Sequence, residues 1–142
     1  MRKLILVLLL LFLNSGLIFA QLSYQISNYE ITESSAGNQN WDISGDGDQR
    51  IFVANNHGLL VLQNTDVELL EFSERTIFRS VEFINGTIYT GSFEDFGYWE
   101  EDDHGELTYR SLAKGLPESG LNNDEIWSIA EKDGVVYFHS FG

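Results

Sequence analysis

Three histidines and two acidic runs are the parts of this chain on which chemistry would draw first. His57, His104 and His139 are its only imidazoles, standing 47 and 35 residues apart, too far for the local spacing of a metal site. Asp46-Gly47-Asp48 resembles the start of a calcium loop, but the later Asp/Asn-Gly step and the distal bidentate Glu are missing, so an acidic turn is expected there. The run Glu100-Glu101-Asp102-Asp103-His104-Gly105-Glu106 is polar throughout, with nothing apolar within it to raise a carboxyl pKa. It reads as a solvated hairpin tip rather than as paired acid and base. The chain contains no cysteine, which removes disulfides and thiol nucleophiles, and it has no G-x-S-x-G, H-E-x-x-H or phosphate loop. No catalytic residue, metal or cofactor is expected, and binding is left as the chemistry to look for.

The elements that must position any binding residues are short. Among 142 residues there are 8 basic and 22 acidic side chains, 13 glycines and one proline, enough for one ordinary domain. Residues 1–20 have the order of a secretory signal: Arg2 and Lys3, an apolar run Leu4–Leu13, and a second apolar stretch ending at Ala20. The alternative is an uncleaved anchor, since Leu4–Ala20 is at the short limit of a membrane span. Cleavage after Ala20 leaves 122 residues with a formal charge of −16, because Arg2 and Lys3 are the only charges removed. Binding of nucleic acid through phosphate neutralisation is excluded by that balance.

Beyond Gln21 the apolar residues alternate in short runs punctuated by Gly, Asn and Asp, which predicts an all-β chain. The clearest hairpin is Ser80–Ile84, Asn85-Gly86, Thr87–Thr90, since Asn-Gly accepts the positive φ angles of a type I′ turn. The same unit recurs. Trp41-Asp42-Ile43, Arg79-Ser80-Val81 and Trp127-Ser128-Ile129 each open a strand, and an aromatic, Phe52, Tyr89 or Tyr137, follows in a return strand. Third strands are expected at Leu59–Leu62 and Tyr98–Glu100, and fourth strands at Val67–Phe72 and Leu107–Leu112. Four strands at periods of 38 and 48 residues describe the blade of a β-propeller. The expected organisation is a lead-in with an N-terminal strand over 21–40, then an incomplete propeller over 41–142, about two and a half blades starting near 41, 79 and 127. A blade face of about 800 Å² left open would forfeit roughly 12 kcal/mol. The chain is therefore expected to be the N-terminal piece of a longer protein, whose downstream blades are its partners.

Blade geometry selects the candidate site. The inner strand begins at the same end of the blade to which the loop between second and third strands returns. Trp41, Arg79 and Trp127 would thus share one mouth with Asn55, Asn56, His57, Glu94, Asp95 and His139, the last placed in a loop equivalent to that of His57. Indole planes beside Arg, Asn and carboxylates suit a carbohydrate or another small polar ligand. The structural alternative is that Trp41 and Trp127 wedge between blades. The connection Ala113–Glu125, with Gly115, Pro117 and Gly120, has the length of a lid.

These residues resemble a known family. Asn28-Tyr29, the run Ala36–Ile43, Ile51–Leu60, and then Arg79-Ser80-Val81 through Ile88–Gly91 to Phe96-Gly97-Tyr98 look like the first blades of bacterial two-component-regulator propeller sensors. The resemblance implies a seven-bladed periplasmic sensor followed by a triple-tyrosine domain, a membrane helix, and a histidine kinase or LuxR-type helix-turn-helix. Membrane attachment would come only through the full-length receptor. In the first blade Asp46-Gly47-Asp48-Gln49-Arg50 departs from the family's Asp-x-x-Gly turn by one extra residue. The expected function is an exported, periplasmic ligand-sensing module that regulates transcription and performs no chemistry of its own. An exported polysaccharide enzyme and a scaffold or adhesion module are the alternatives.

Overall fold

The computed structural model describes residues 26, 28, 29, 35–71, 76–117 and 120–141. The expected signal segment, and most of the lead-in strand proposed from Leu22, Tyr24 and Ile26, lie outside these residues. Ile26, Asn28 and Tyr29 are described and are not in a strand, and Ile26 is almost fully exposed. No described helix is long and apolar enough to cross a membrane.

The fold is all-β and propeller-like. Strands β1 (Asn40–Gly45), β2 (Arg50–Asn55), β3 (Gly58–Gln63) and β4 (Asp66–Glu71) form one antiparallel sheet in chain order. A second sheet repeats the pattern with β5 (Phe78–Ile84), β6 (Thr87–Ser92), β7 (Phe96–Glu101) and β8 (Leu107–Ser111). A third has two strands, β9 (Glu125–Lys132) and β10 (Val135–Phe141). Alternation and turn chemistry fix these boundaries locally. Asn85 and Gly86 both have positive φ, 50° and 87°, as the twist of a two-residue hairpin requires. The Asp133-Gly134 turn of the third sheet repeats the arrangement with φ of 54° and 78°.

The sheets pack face to face through their innermost strands. β5 lies against β1, and β9 against β5. Phe52 stacks on Phe83 at 5.7 Å, and the core between the first two sheets is completed by Ala54, Leu59, Val61, Phe78, Val81, Ile88 and Trp99. Phe138 of the third sheet fills the same role against Tyr89 and Phe96. Side chains of one inner strand also bond the backbone of the next. Val81 N–H donates to Asp42 Oδ2 and Phe83 N–H to Ser44 Oγ, each at 3.0 Å, and Ser80 Oγ donates to the Ile126 carbonyl at 3.0 Å. Gly91 is required at the contact with the third sheet, because an added Cβ would lie 2.4 Å from Ile126 Cγ2.

Candidate functional site

Trp41, Arg79 and Trp127 occupy one structural position. In β1 the pairing skips from Asn40↔Asn55 to Asp42↔Ala54, in β5 from Phe78↔Ser92 to Ser80↔Gly91, and in β9 from Ile126↔Ser140 to Ser128↔His139. The residue left over in each strand is a β-bulge, and a bulge re-aims its side chain. All three side chains are turned toward one another. The Arg79 guanidinium carbon is 3.9 Å from the Trp41 ring centroid and 5.0 Å from that of Trp127, and the two indoles meet edge to face at 6.1 Å.

Charge and hydrogen bonds hold this cluster. Arg79 Nη2 donates to Glu125 Oε1 at 2.9 Å, while Arg79 Nε and Nη1 are buried without a partner among the described residues. The guanidinium is thus neutralised from one side and covered by π-faces on the others, an arrangement that favours Arg over Lys. Trp41 Nε1 donates to Asn56 Oδ1 at 2.7 Å, and Asn56 Nδ2 donates to Gln39 Oε1 at 3.2 Å. Both indoles remain about 40% exposed, Trp41 at 39% and Trp127 at 41%.

Asn55 differs from the expectation of a ligand residue. It is fully buried, and its side chain is spent on the lead-in: Nδ2 donates to the carbonyls of Gly37 and Gln39 and to Asn40 Oδ1, and Oδ1 accepts from the N–H groups of Gly37 and His57. It is a structural clasp. His57 is exposed in the following turn, with Nδ1 against the Ser35 carbonyl. His139 does not share that position. It lies within β10, paired with Ser128, at the place held by Ala54 and Gly91 in the other sheets. The two histidines are therefore not brought together as equivalents.

Glu94 and Asp95 sit at the edge of a second hollow, of about 430 Å³, with Phe93, Ser111 and Lys114. Glu94, at φ 53°, ties down the long connection: its N–H donates to the Asp124 carbonyl and its Oε1 accepts from Asn123 N–H at 2.7 Å. That connection opens with a 3-10 turn at Ala113–Gly115. Asp95 Oδ1 accepts from Ser111 Oγ at 2.6 Å. Burial first, and then the Asp95 charge and hydrogen bond, push the Tyr109 phenol well above its ordinary range.

The acidic runs close on themselves. Asp46 Oδ1 accepts from the N–H groups of Asp48, Gln49 and Arg50, and Oδ2 accepts from Arg50 Nε at 3.0 Å. Those backbone bonds, led by Asp48, bring its pKa down to about 2. Asp102 Oδ1 accepts from His104 and Glu106 N–H in the same manner. Among the described residues no three His, Cys, Asp or Glu side chains are grouped to hold a metal. Glu82 is raised by burial and then by the neighbouring Asp42 carboxylate, with the Ser44 hydroxyl opposing.

Reading by type and spacing missed Glu125, Gln39 and Asn123, the residues that hold the cluster and the connection. Their one signal was proximity, Glu125 standing two residues before Trp127. Comparison with protein-family models, with curated proteins and with solved structures finds no match to this chain.

Proposed function

We propose that this chain is a ligand-sensing propeller module of a bacterial envelope signalling receptor that regulates transcription, taking a carbohydrate or other small polar ligand at the Trp41-Trp127 mouth. The observation that carries the reading is the convergence of three bulge residues: two half-exposed indoles fixed by a buried arginine form a rigid platform open on its outer faces. Planar apolar faces edged by Asn56 and the Glu125 carboxylate match a ligand with one apolar and one hydroxylated side. The signal-like residues 1–20 and the resemblance of the repeats to propeller sensors support export and a sensing role.

The test is a tryptophan-fluorescence titration with a panel of neutral and acidic oligosaccharides. A saturable change that is lost in Trp127→Ala is the expected result. An unchanged emission across the panel would remove the reading. In cells, the regulated transcripts should respond to the same sugar and fall silent in the Trp127→Ala strain.

A further inference from the structure

We infer that the hollow beside the β6–β7 loop is a second binding site, and that its ligand is a zwitterion: a free α-amino acid with an apolar side chain. The hollow has a volume of about 430 Å³, within the range of small-molecule sites. Its walls come from the second sheet and from the connections that enter and leave it. That sheet has a neighbouring sheet on each side, so neither wall is an open end of the fold.

The loop that makes the hollow departs from the repeat. Asn56-His57 alone joins β2 to β3, whereas Phe93-Glu94-Asp95 joins β6 to β7. The longer loop is tightly held. Phe93 bridges to Glu125, Glu94 N–H donates to the Asp124 carbonyl, and Ser92 N–H and Oγ both donate to the Asp95 carbonyl, at 2.8 and 3.0 Å. These bonds keep Glu94 in the left-handed region, at φ 53°, and leave the Phe93 ring 42% exposed. Strain of this kind, beside an apolar ring that the core does not take up, persists where the surrounding structure fixes it for use.

Charge identifies the ligand. Every described arginine is ion-paired: Arg50 with Asp46 and Glu101, Arg79 with Glu125, Arg110 with Glu100. Lys114 pairs with no described residue, although Glu94 and Asp95 line the same hollow, and its ammonium lies more than 4 Å from either carboxylate. The carboxylates are braced. Asp95 Oδ1 accepts from Ser111 Oγ at 2.6 Å with the Tyr109 phenol against the same side chain, and Glu94 Oε1 accepts from Asn123 N–H while Oε2 has no partner among the described residues. Opposite charges held apart within one cavity are both met by a ligand that carries both. Its carboxylate would take charge-assisted hydrogen bonds from Lys114, and its ammonium would give them to Glu94 and Asp95. The Phe93 ring supplies a face for an apolar side chain, and Thr76 a hydroxyl from the segment entering β5. A ligand with a single charge would cover one group and leave the other unpaired as water is displaced. This ligand is distinct from the one proposed at the Trp41-Trp127 mouth, and the inference does not depend on that reading.

Isothermal titration of the intact protein with L-leucine, L-methionine and L-phenylalanine tests this. At least one should bind saturably, and its N-acetyl derivative and its decarboxylated amine should each bind about tenfold more weakly or worse, since each lacks one of the two charges. Lys114→Met should weaken binding by about tenfold or more, and Lys114→Arg should keep most of it. Glu94→Gln, which retains the acceptor for Asn123 N–H, should weaken binding as well. Lys132→Met, removing an exposed lysine outside the hollow, should leave the affinity unchanged. No saturable binding by any of the three amino acids, equal binding of the N-acetyl derivative, or parental affinity in Lys114→Met would overturn the proposal. Sugar binding at the Trp41-Trp127 mouth is read with different ligands, so each reading fails on its own.

Discussion

The Arg79 guanidinium lies 3.9 Å from the centre of the Trp41 indole although the two residues are 38 positions apart, and each reaches the contact as the bulged residue of its own strand. The repeat therefore reproduces a deformation as well as a pairing pattern. Three copies of one irregularity, filled by Trp, Arg and Trp, turn an inner-strand end into a stacked cluster. Arg79 is mostly buried and already paired with Glu125, so its role is to hold the indoles rather than to meet a ligand charge.

Replacing Arg79 by Lys should loosen the cluster. A point charge neither stacks on two rings nor keeps a planar edge toward Glu125. We expect a loss of about 1–2 kcal/mol in denaturant melts and a red shift in tryptophan emission. Unchanged emission would show that the indoles are held without the cation.

Asn55→Ala should be more damaging than any substitution in the exposed loops. It orphans the Gly37 carbonyl and the N–H groups of Gly37 and His57 around a fully buried side chain, while the Gln39 carbonyl keeps the Asn56 N–H. About 2–4 kcal/mol is expected, read as a lowered denaturation midpoint with an unchanged slope. Asn56→Ala, which frees only the Trp41 indole N–H and the Gln39 side chain, should cost about 1 kcal/mol.

Acid should open the first hairpin tip in a defined window. The Asp46 pKa is depressed from an ordinary 3.8 to about 2, so its contribution to stability is complete above the unfolded value and is lost as pH falls from about 4 toward 2. Asp46→Asn should flatten that part of the pH dependence. A variant that melts in parallel with the parent between those limits would locate the acid sensitivity elsewhere.

Gly91→Ala should undock the third sheet from the second. The new methyl group meets Ile126 and the Ser80 hydroxyl, so the contact must open rather than adjust within β6. Hydrogen exchange over Glu125–Phe141 should accelerate while the amides of β2 and β3 keep their protection. Uniform acceleration would mean that the sheets unfold as one unit.

The strands and turns were legible in the residues themselves. Period-two alternation, Asn85-Gly86 and the recurring aromatic at Phe52, Tyr89 and Tyr137 act through neighbours one to ten positions away, so they survive as pattern. The equivalence of Trp41, Arg79 and Trp127 was legible for the same reason. What they do there was decided by tertiary structure. A bulge adds one residue and so shifts the period-two phase, leaving three-residue gaps from Phe78 to Val81 and from Ile126 to Ile129, but the pattern does not say which way the extra side chain is redirected or what it meets. The ion pair of Arg79 with Glu125 spans 46 positions and exists only because β5 and β9 pack side by side. Asn55 shows the limit most clearly: its residue type and loop position read as a binding group, and only the fold of the lead-in over it turned every donor and acceptor inward. Local chemistry specifies elements, whereas burial and partnership arise from chain segments far apart in sequence, where many alternative pairings share the same composition.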